Sequence, residues 1–233
     1  MVEVGNDVVD LGQARCEGKA ADTRFVQRVF TASEQAGILA AEDPDRALWR
    51  RWAAKEAGFK VVSKVLGSPP VFAHTAFVVD LDADMSGGIV TYREFTVPFT
   101  LVEGLDHVHT VAVHSRDDGP EPSVVVGIES SDTDVRPPLD SLQDRFTLEE
   151  RAFIRSVPSA LVRLAARRDM ASSLAVPESD LLILGAEGAP GRVPPVVRVG
   201  GVEGLVDLSL SHDGRYVAWA FVVDQEGGSS TNS

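Results

Sequence analysis

Four short segments in the first half of this 233-residue chain return, in the same order, in the second half. Val2-Glu-Val-Gly-Asn-Asp7 is echoed by Val124-Val-Val-Gly-Ile-Glu129. Arg24-Phe25 and Phe30-Thr31-x-x-Glu34 return as Arg145-Phe146 and Thr147-x-Glu149. Arg51-Trp-Ala-Ala-Lys-Glu56 is matched by Arg163-Leu-Ala-Ala-Arg-Arg168, and Glu103-Gly-Leu105 by Glu203-Gly-Leu205. One such match carries no weight; four in register describe two copies of one supersecondary plan. The reading is an α+β chain of two tandem pseudo-symmetric α/β repeats, 1–117 and 122–224, packed as a pseudo-dimer. Asp118-Gly-Pro-Glu-Pro122 marks the break between them, and the Gly/Ser-rich tail, 225–233, is expected to be disordered.

Each unit opens with a β-branched strand, 2–10 or 123–129. Thr31 and Thr147, each followed by a glutamate, suit helix caps. Longer helices are expected at about 44–66 and 157–175, the first closing near Gly67 and Pro69. Strands should follow at 72–80, 88–96 and 107–114 in the first unit, and at 195–199, 205–211 and 215–223 in the second.

Composition narrows the function classes. A net charge of −13 argues against general nucleic-acid binding, which wants a basic surface. The longest apolar runs, 123–128 and 216–223, are strand-sized, far short of the roughly 18 residues that cross a bilayer. No basic leader precedes an apolar stretch, and the single Cys16 excludes an internal disulfide, so a cytoplasmic, non-membrane protein is expected. Two cationic stretches, 46–64 and 145–168, stand out against the acidic background as candidate anion sites, or as solvated helix faces.

Trp52, Glu56, Lys60 and Lys64 fall at successive fourth positions and form one helix stripe. Glu56 beside Lys60 reads either as an exposed ion pair or as a carboxylate for a hard cation next to an ammonium for a phosphate. Asp7, expected at the end of the first strand, suits a turn or a metal. The second copy places Glu129 where the first has Asp7, and Arg168 where it has Glu56. A guanidinium would repel Mg²⁺, so a metal is expected in the first copy alone. Conversely, Ser211, His212 and Arg215 surround the Asp213-Gly214 hairpin signal, and the first copy lacks that tip. Complementary losses suggest one composite site.

These residues resemble the 4'-phosphopantetheinyl transferases: Gly5-Asn-Asp7, then Trp52-Ala-Ala-Lys55-Glu56-Ala-Gly-Phe-Lys60, then Leu208-Ser-Leu-Ser211-His212, with Gly191-Arg192-Val-Pro194 similar to the family's Gly-Lys/Arg-Pro element. The likeness spans nearly the whole chain. It implies that phosphopantetheine moves from coenzyme A to a serine of an apo acyl or peptidyl carrier protein, releasing 3',5'-adenosine bisphosphate. It further implies that Asp7 and Glu56 hold Mg²⁺, that Asp7, Glu56 and Lys60 form the catalytic set with Glu56 the candidate base, and that Arg192, Ser211, His212 and Arg215 anchor coenzyme A. Lys55 and Lys64 join them as coenzyme A-binding cations. Many monomeric members carry a third acid two residues after the first; here Val9 stands there, as in the small trimeric holo-acyl-carrier-protein synthases, so two protein ligands are expected. The acidic set also lies in the first half rather than the second. A monomer is expected, and an acidic carrier should dock near Arg24, Arg28, Arg46 and Arg50.

Cys16 reads as a structural thiol, His107, His109 and His114 as surface histidines, and Asp80, Asp82 and Asp84 as a polar turn lacking the remaining calcium-loop ligands. The rival functional reading is a non-catalytic coenzyme A or carrier-protein binding module on the same fold. An unrelated α/β domain with helix salt bridges would leave the complementary losses unexplained.

Overall fold

The valine-rich opening segment forms strand β1 (Val2–Asp10), as β-branched side chains favour. The computed structural model describes residues 2–71, 73–116, 122–131, 136–185 and 194–223. β1 pairs antiparallel along its length with β5 (His107–Ser115). Strands β2 (Val78–Leu81), β3 (Gly87–Tyr92) and β4 (Phe95–Glu103) complete a sheet ordered β1-β5-β4-β3-β2. Asp7 therefore lies within a strand, opposite Thr110, and does not end one.

Helices α1 (Thr23–Val29) and α2 (Ala32–Leu39) lead into α3 (Pro44–Val65), which crosses this sheet. Asp43 caps α3 by accepting the Arg46 N–H, and Pro44 occupies the first turn, where a missing N–H costs nothing. The helix lies so close to β1 that a Cβ on Gly5 would stand 2.2 Å from the Ala57 carbonyl oxygen. Gly5 thus permits the approach, and the two-residue period of the strand then presents Asp7 on the same face, towards α3.

The second half holds α4 (Leu139–Gln143), α5 (Leu148–Arg151) and α6 (Val157–Leu174). Its strands are β6 (Val124–Ser130), β7 (Leu181–Gly185), β8 (Pro195–Val199), β9 (Val202–Glu203), β10 (Val206–Asp213) and β11 (Tyr216–Val223). They form two three-stranded sheets, β10-β11-β6 and β7-β8-β9. Trp219, Phe221, Leu208 and Met170 fill the core beneath α6, while Val4 and Val111 pack with Ala220 and Val222 across the two halves.

Each half carries a buried glutamate in the same role. Thr31 caps α2 in a reciprocal box with Glu34, whose other oxygen accepts the Val79 N–H at 2.8 Å. Thr147 caps α5 with Glu150, which accepts the Ile183 N–H at 3.1 Å. The box partner of Thr147 is therefore Glu150, not Glu149. Glu34 pairs with Lys55 and Glu150 with Arg167, the residues aligned by the sequence repeat.

Several strands differ from expectation. The segment expected at 72–80 becomes regular only at Val78, after a short 3₁₀ turn at His74–Ala76; Phe72 lies outside the described residues. The 88–96 strand is two, turning at Arg93 with φ of 52°. β4 and β7 were not anticipated; Pro98 within β4 reads as a strand breaker, yet it pairs opposite Ile89 with its side chain outward. The proposed break between the halves falls mostly outside the described residues, as does the tail. Cys16 is buried, its thiol donating to the Asp10 carbonyl, and burial raises its pKa to about 11. The Asp82–Ser86 segment is a polar turn, with Ser86 donating to Asp84. Among the described residues no helix is long and apolar enough to cross a membrane.

His109 is not a surface histidine. β5 has β1 on one side and β4 on the other, so His109 is fully buried, 3.1 Å from the Asn6 amide nitrogen. Burial, reinforced by Lys60 and His107, pushes its pKa down to about 3 from 6.5. Between those values the unfolded chain binds the extra proton, so stability falls as pH is lowered through that window. His109→Gln should shrink the loss of urea-unfolding free energy between about pH 7 and about pH 4 relative to the wild type.

Candidate active site

An edge strand carries N–H groups that need partners, and those of β1 on the side away from β5 find them in side chains. The N–H groups of Val4, Asn6, Val8 and Asp10 donate to Asp207 Oδ2, Ser209 Oγ, Ser211 Oγ and Asp213 Oδ2, at 2.7, 2.9, 3.1 and 2.9 Å. Every rung joins residues 203 apart, so one register holds along the whole seam. The carbonyls are bridged by two lysines of α3. Lys64 Nζ donates to Val4 O, Leu208 O and Asp207 Oδ2, while Lys60 Nζ donates to Asn6 O, to Asp7 Oδ1 at 3.1 Å and, at 3.5 Å, to Leu210 O.

Above this seam opens a cleft of about 510 Å³. Asp7, Trp52, Glu56, Phe59 and Lys60 form the first-half wall; Arg163, Ser211, His212, Leu184, Pro194 and Pro195 form the other. The stripe Trp52, Glu56, Lys60 and Lys64 thus faces one cavity, as its spacing predicts. Asp7 Oδ1 accepts from Lys60 and from Ser211 Oγ at 3.0 Å, and among the described residues Oδ2 has no hydrogen-bond partner. Among the described residues no group of three or more His, Cys, Asp or Glu side chains is arranged to hold a metal ion; the first-half wall carries two carboxylates, Asp7 and Glu56.

The cations divide by how many of their protons are already committed. An ammonium has three donors. Lys55 is fully buried, spends all three on Glu34, His74 O and Phe77 O, and does not line the cleft. Lys64 touches the cleft, but its three protons are likewise taken, and burial lowers its pKa. Arg215 sits at the β10–β11 turn, away from the cleft, and pairs with Asp10 and Asp106. Burial would raise the Asp10 pKa, but the bonds from Arg215 outweigh it and hold the carboxyl well below its usual range. The protons of Lys55 and Lys64 are thus committed within the protein and Arg215 stands outside the cleft, whereas all three were expected to bind coenzyme A. Arg192 lies outside the described residues.

Lys60 differs because its longest bond is weak and its side chain keeps 25% exposure. His212 lies in β10 rather than at the turn. It retains exposed surface, yet desolvation and the Lys60 charge lower its pKa from 6.5, favouring a neutral ring. Arg163 was legible only as one cation of a basic stretch. Its Nη1 donates to Ser159 O and Ser159 Oγ, and its buried Nε has no partner among the described residues. In the second half the residues matching Asp7 and Glu56, namely Glu129 and Arg168, form an ion pair at 2.9 Å. Of the expected docking arginines, Arg50 pairs with Glu103 and Arg46 bonds to Gly104 O and Leu105 O, while Arg24 and Arg28 are exposed.

Residues 3–112 match a family model described as the 4'-phosphopantetheinyl transferase superfamily. A holo-[acyl-carrier-protein] synthase of Azoarcus sp. strain BH72 is 31% identical over 121 residues, covering 47% of this chain and 94% of that protein. The holo-[acyl-carrier-protein] synthase of Aromatoleum aromaticum is 29% identical over the same coverage. A crystal structure of holo-[acyl-carrier-protein] synthase from Neisseria meningitidis is 21% identical with a TM-score of 0.40, over 50% of this chain and all of that one.

Removing one partner of a buried ion pair leaves an uncompensated charge, which costs about 3–5 kcal/mol. Lys55→Met should therefore lower the unfolding free energy by about that amount in chemical denaturation, while Lys60→Met, whose ammonium reaches water, loses much less.

Proposed function

The chain belongs to the 4'-phosphopantetheinyl transferase superfamily, and from that premise we propose that it transfers 4'-phosphopantetheine from coenzyme A to a serine hydroxyl of an apo acyl or peptidyl carrier protein. The observation that carries this reading is one cleft in which Asp7 and Glu56, with Lys60 beside them, face Arg163 and His212. Carboxylates for a hard cation on one wall and nitrogen donors for phosphates on the other are the two halves of a pyrophosphate site.

The serine oxygen forms a bond to the phosphorus nearest the pantetheine as the pyrophosphate P–O bond breaks, and 3',5'-adenosine bisphosphate leaves with the electron pair. Glu56 would take the serine proton, directly or through water. Lys60 keeps one loosely held proton that can turn to a phosphate oxygen without abandoning Asn6 and Asp7. Arg163, with its unpartnered Nε, and neutral His212 would hold the nucleotide phosphates, joined by Arg192 on the strength of the family motif. The donor set suits Mg²⁺: two carboxylates, one with a free oxygen, and Val9 in place of a third acid. Bound by Asp7 and Glu56, the ion would neutralise charge on the pyrophosphate.

The same reading makes the chain a tandem pair, 1–117 and 122–224, packed as a pseudo-dimer. Three features support it: matching strand orders from β1-β5-β4 and β6-β11-β10, the Glu34–Lys55 and Glu150–Arg167 anchors, and the coverage of 94% of a relative by 47% of this chain. Arg24 and Arg28, not engaged as Arg46 and Arg50 are, would meet an acidic carrier.

With apo-carrier, coenzyme A and Mg²⁺, the carrier should gain the mass of one phosphopantetheine, and Glu56→Gln should abolish the gain. No gain with any of several acyl and peptidyl carriers overturns the proposal. Arg163→Ala, removing a charge-assisted contact, should raise the coenzyme A KM about tenfold or more with a smaller change in kcat.

A further inference from the structure

Ser211 was expected to bind coenzyme A, yet its hydroxyl is committed elsewhere. Oγ accepts the Val8 N–H at 3.1 Å and donates to Asp7 Oδ1 at 3.0 Å. A serine hydroxyl has one proton to give. A phosphate oxygen ionised at neutral pH can only accept, so the proton held by Asp7 cannot also serve a phosphate. The residue is 7% exposed, which leaves it little freedom to swing away. The neighbouring rung behaves differently. Ser209 Oγ accepts the Asn6 N–H at 2.9 Å and makes no hydrogen bond to an acid among the described residues.

We infer that Ser211 is a positioning residue through which the second half of the chain orients the Asp7 carboxylate, occupying Oδ1 and leaving Oδ2 for a divalent cation. The inference rests on the proposed reading of Asp7 as a metal ligand and deepens it. The metal site is then composite even though both of its ligands lie in the first half: 204 residues separate Asp7 from the hydroxyl that holds it. Outer hydrogen bonds of this kind fix ligand orientation, and their loss typically costs 10–100-fold in metal affinity.

The test is Mn²⁺ binding to the full chain without coenzyme A, measured by calorimetry or by the electron paramagnetic resonance of free Mn²⁺. Ser211→Ala should weaken binding about tenfold or more, and Ser211→Thr, which keeps the hydroxyl, should restore most of it. Ser209→Ala removes a rung of the same seam and should leave Mn²⁺ affinity unchanged, which separates positioning from general loosening. Coenzyme A affinity measured without metal should not change in Ser211→Ala. Wild-type Mn²⁺ affinity in Ser211→Ala overturns this inference alone, and so does a loss of metal-free coenzyme A binding at unchanged Mn²⁺ affinity. Equal Mn²⁺ binding by wild type and Asp7→Asn overturns the metal reading of Asp7 and this inference with it. Should the alanine variant not fold, Ser211→Cys, nearly the same size with a much weaker donor, takes its place with the same expected loss.

Discussion

The outer edge of β1 has to satisfy its N–H groups somewhere, and it does so through four side chains of β10 rather than through a paired strand. The remainder of the site depends on that choice. A backbone ladder would bring two strands within about 5 Å and merge the two sheets into one. A side-chain ladder holds them apart with a fixed register, and the space it preserves is where Lys60 and Lys64 reach in from α3 and where the cleft begins. The hydrophobic contacts of Val4 and Val8 with β11 hold the halves together, but they are non-directional. The hydrogen-bonded rungs specify which residues of one half stand opposite which residues of the other.

This seam also sorts the cations. Lys55, Lys60 and Lys64 lie on one helix within ten residues and look equivalent in a sequence, yet each has a different set of acceptors. Lys55 closes a buried anchor on Glu34, Lys64 closes the seam on Asp207, and Lys60 alone combines a place in the cleft with a weakly held proton. The proton inventory of each ammonium distinguishes the three, and neither helix position nor proximity to a motif reports it. The same accounting shows the one proton of the Ser211 hydroxyl committed to Asp7.

The two halves share a set of buried anchors and differ at the cleft. The Thr–Glu capping box, the glutamate accepting from the next strand, and the lysine or arginine on the long helix persist in both, because each removal would strand a buried charge. Elsewhere the halves differ. Where the first half keeps Asp7 and Glu56 facing a cavity, the second closes Glu129 on Arg168, an ion pair half in solvent that needs no ligand.

By itself the sequence determined the order of four matched segments, the long helices, the terminal hairpin and the stripe on α3. All of these follow from local periodicity, turn chemistry and comparison of one half with the other. It did not show β4 or β7, where Pro98 disguised one strand and a short apolar run marked the other, nor the burial of His109, which depends on neighbours on both sides of β5. Only the tertiary structure decided which cations remain free, that Arg163 lines the cleft, and that Ser211 holds Asp7. Hydrogen-bond commitments are made between residues some 200 positions apart, and such pairings leave no periodic trace in the chain that makes them.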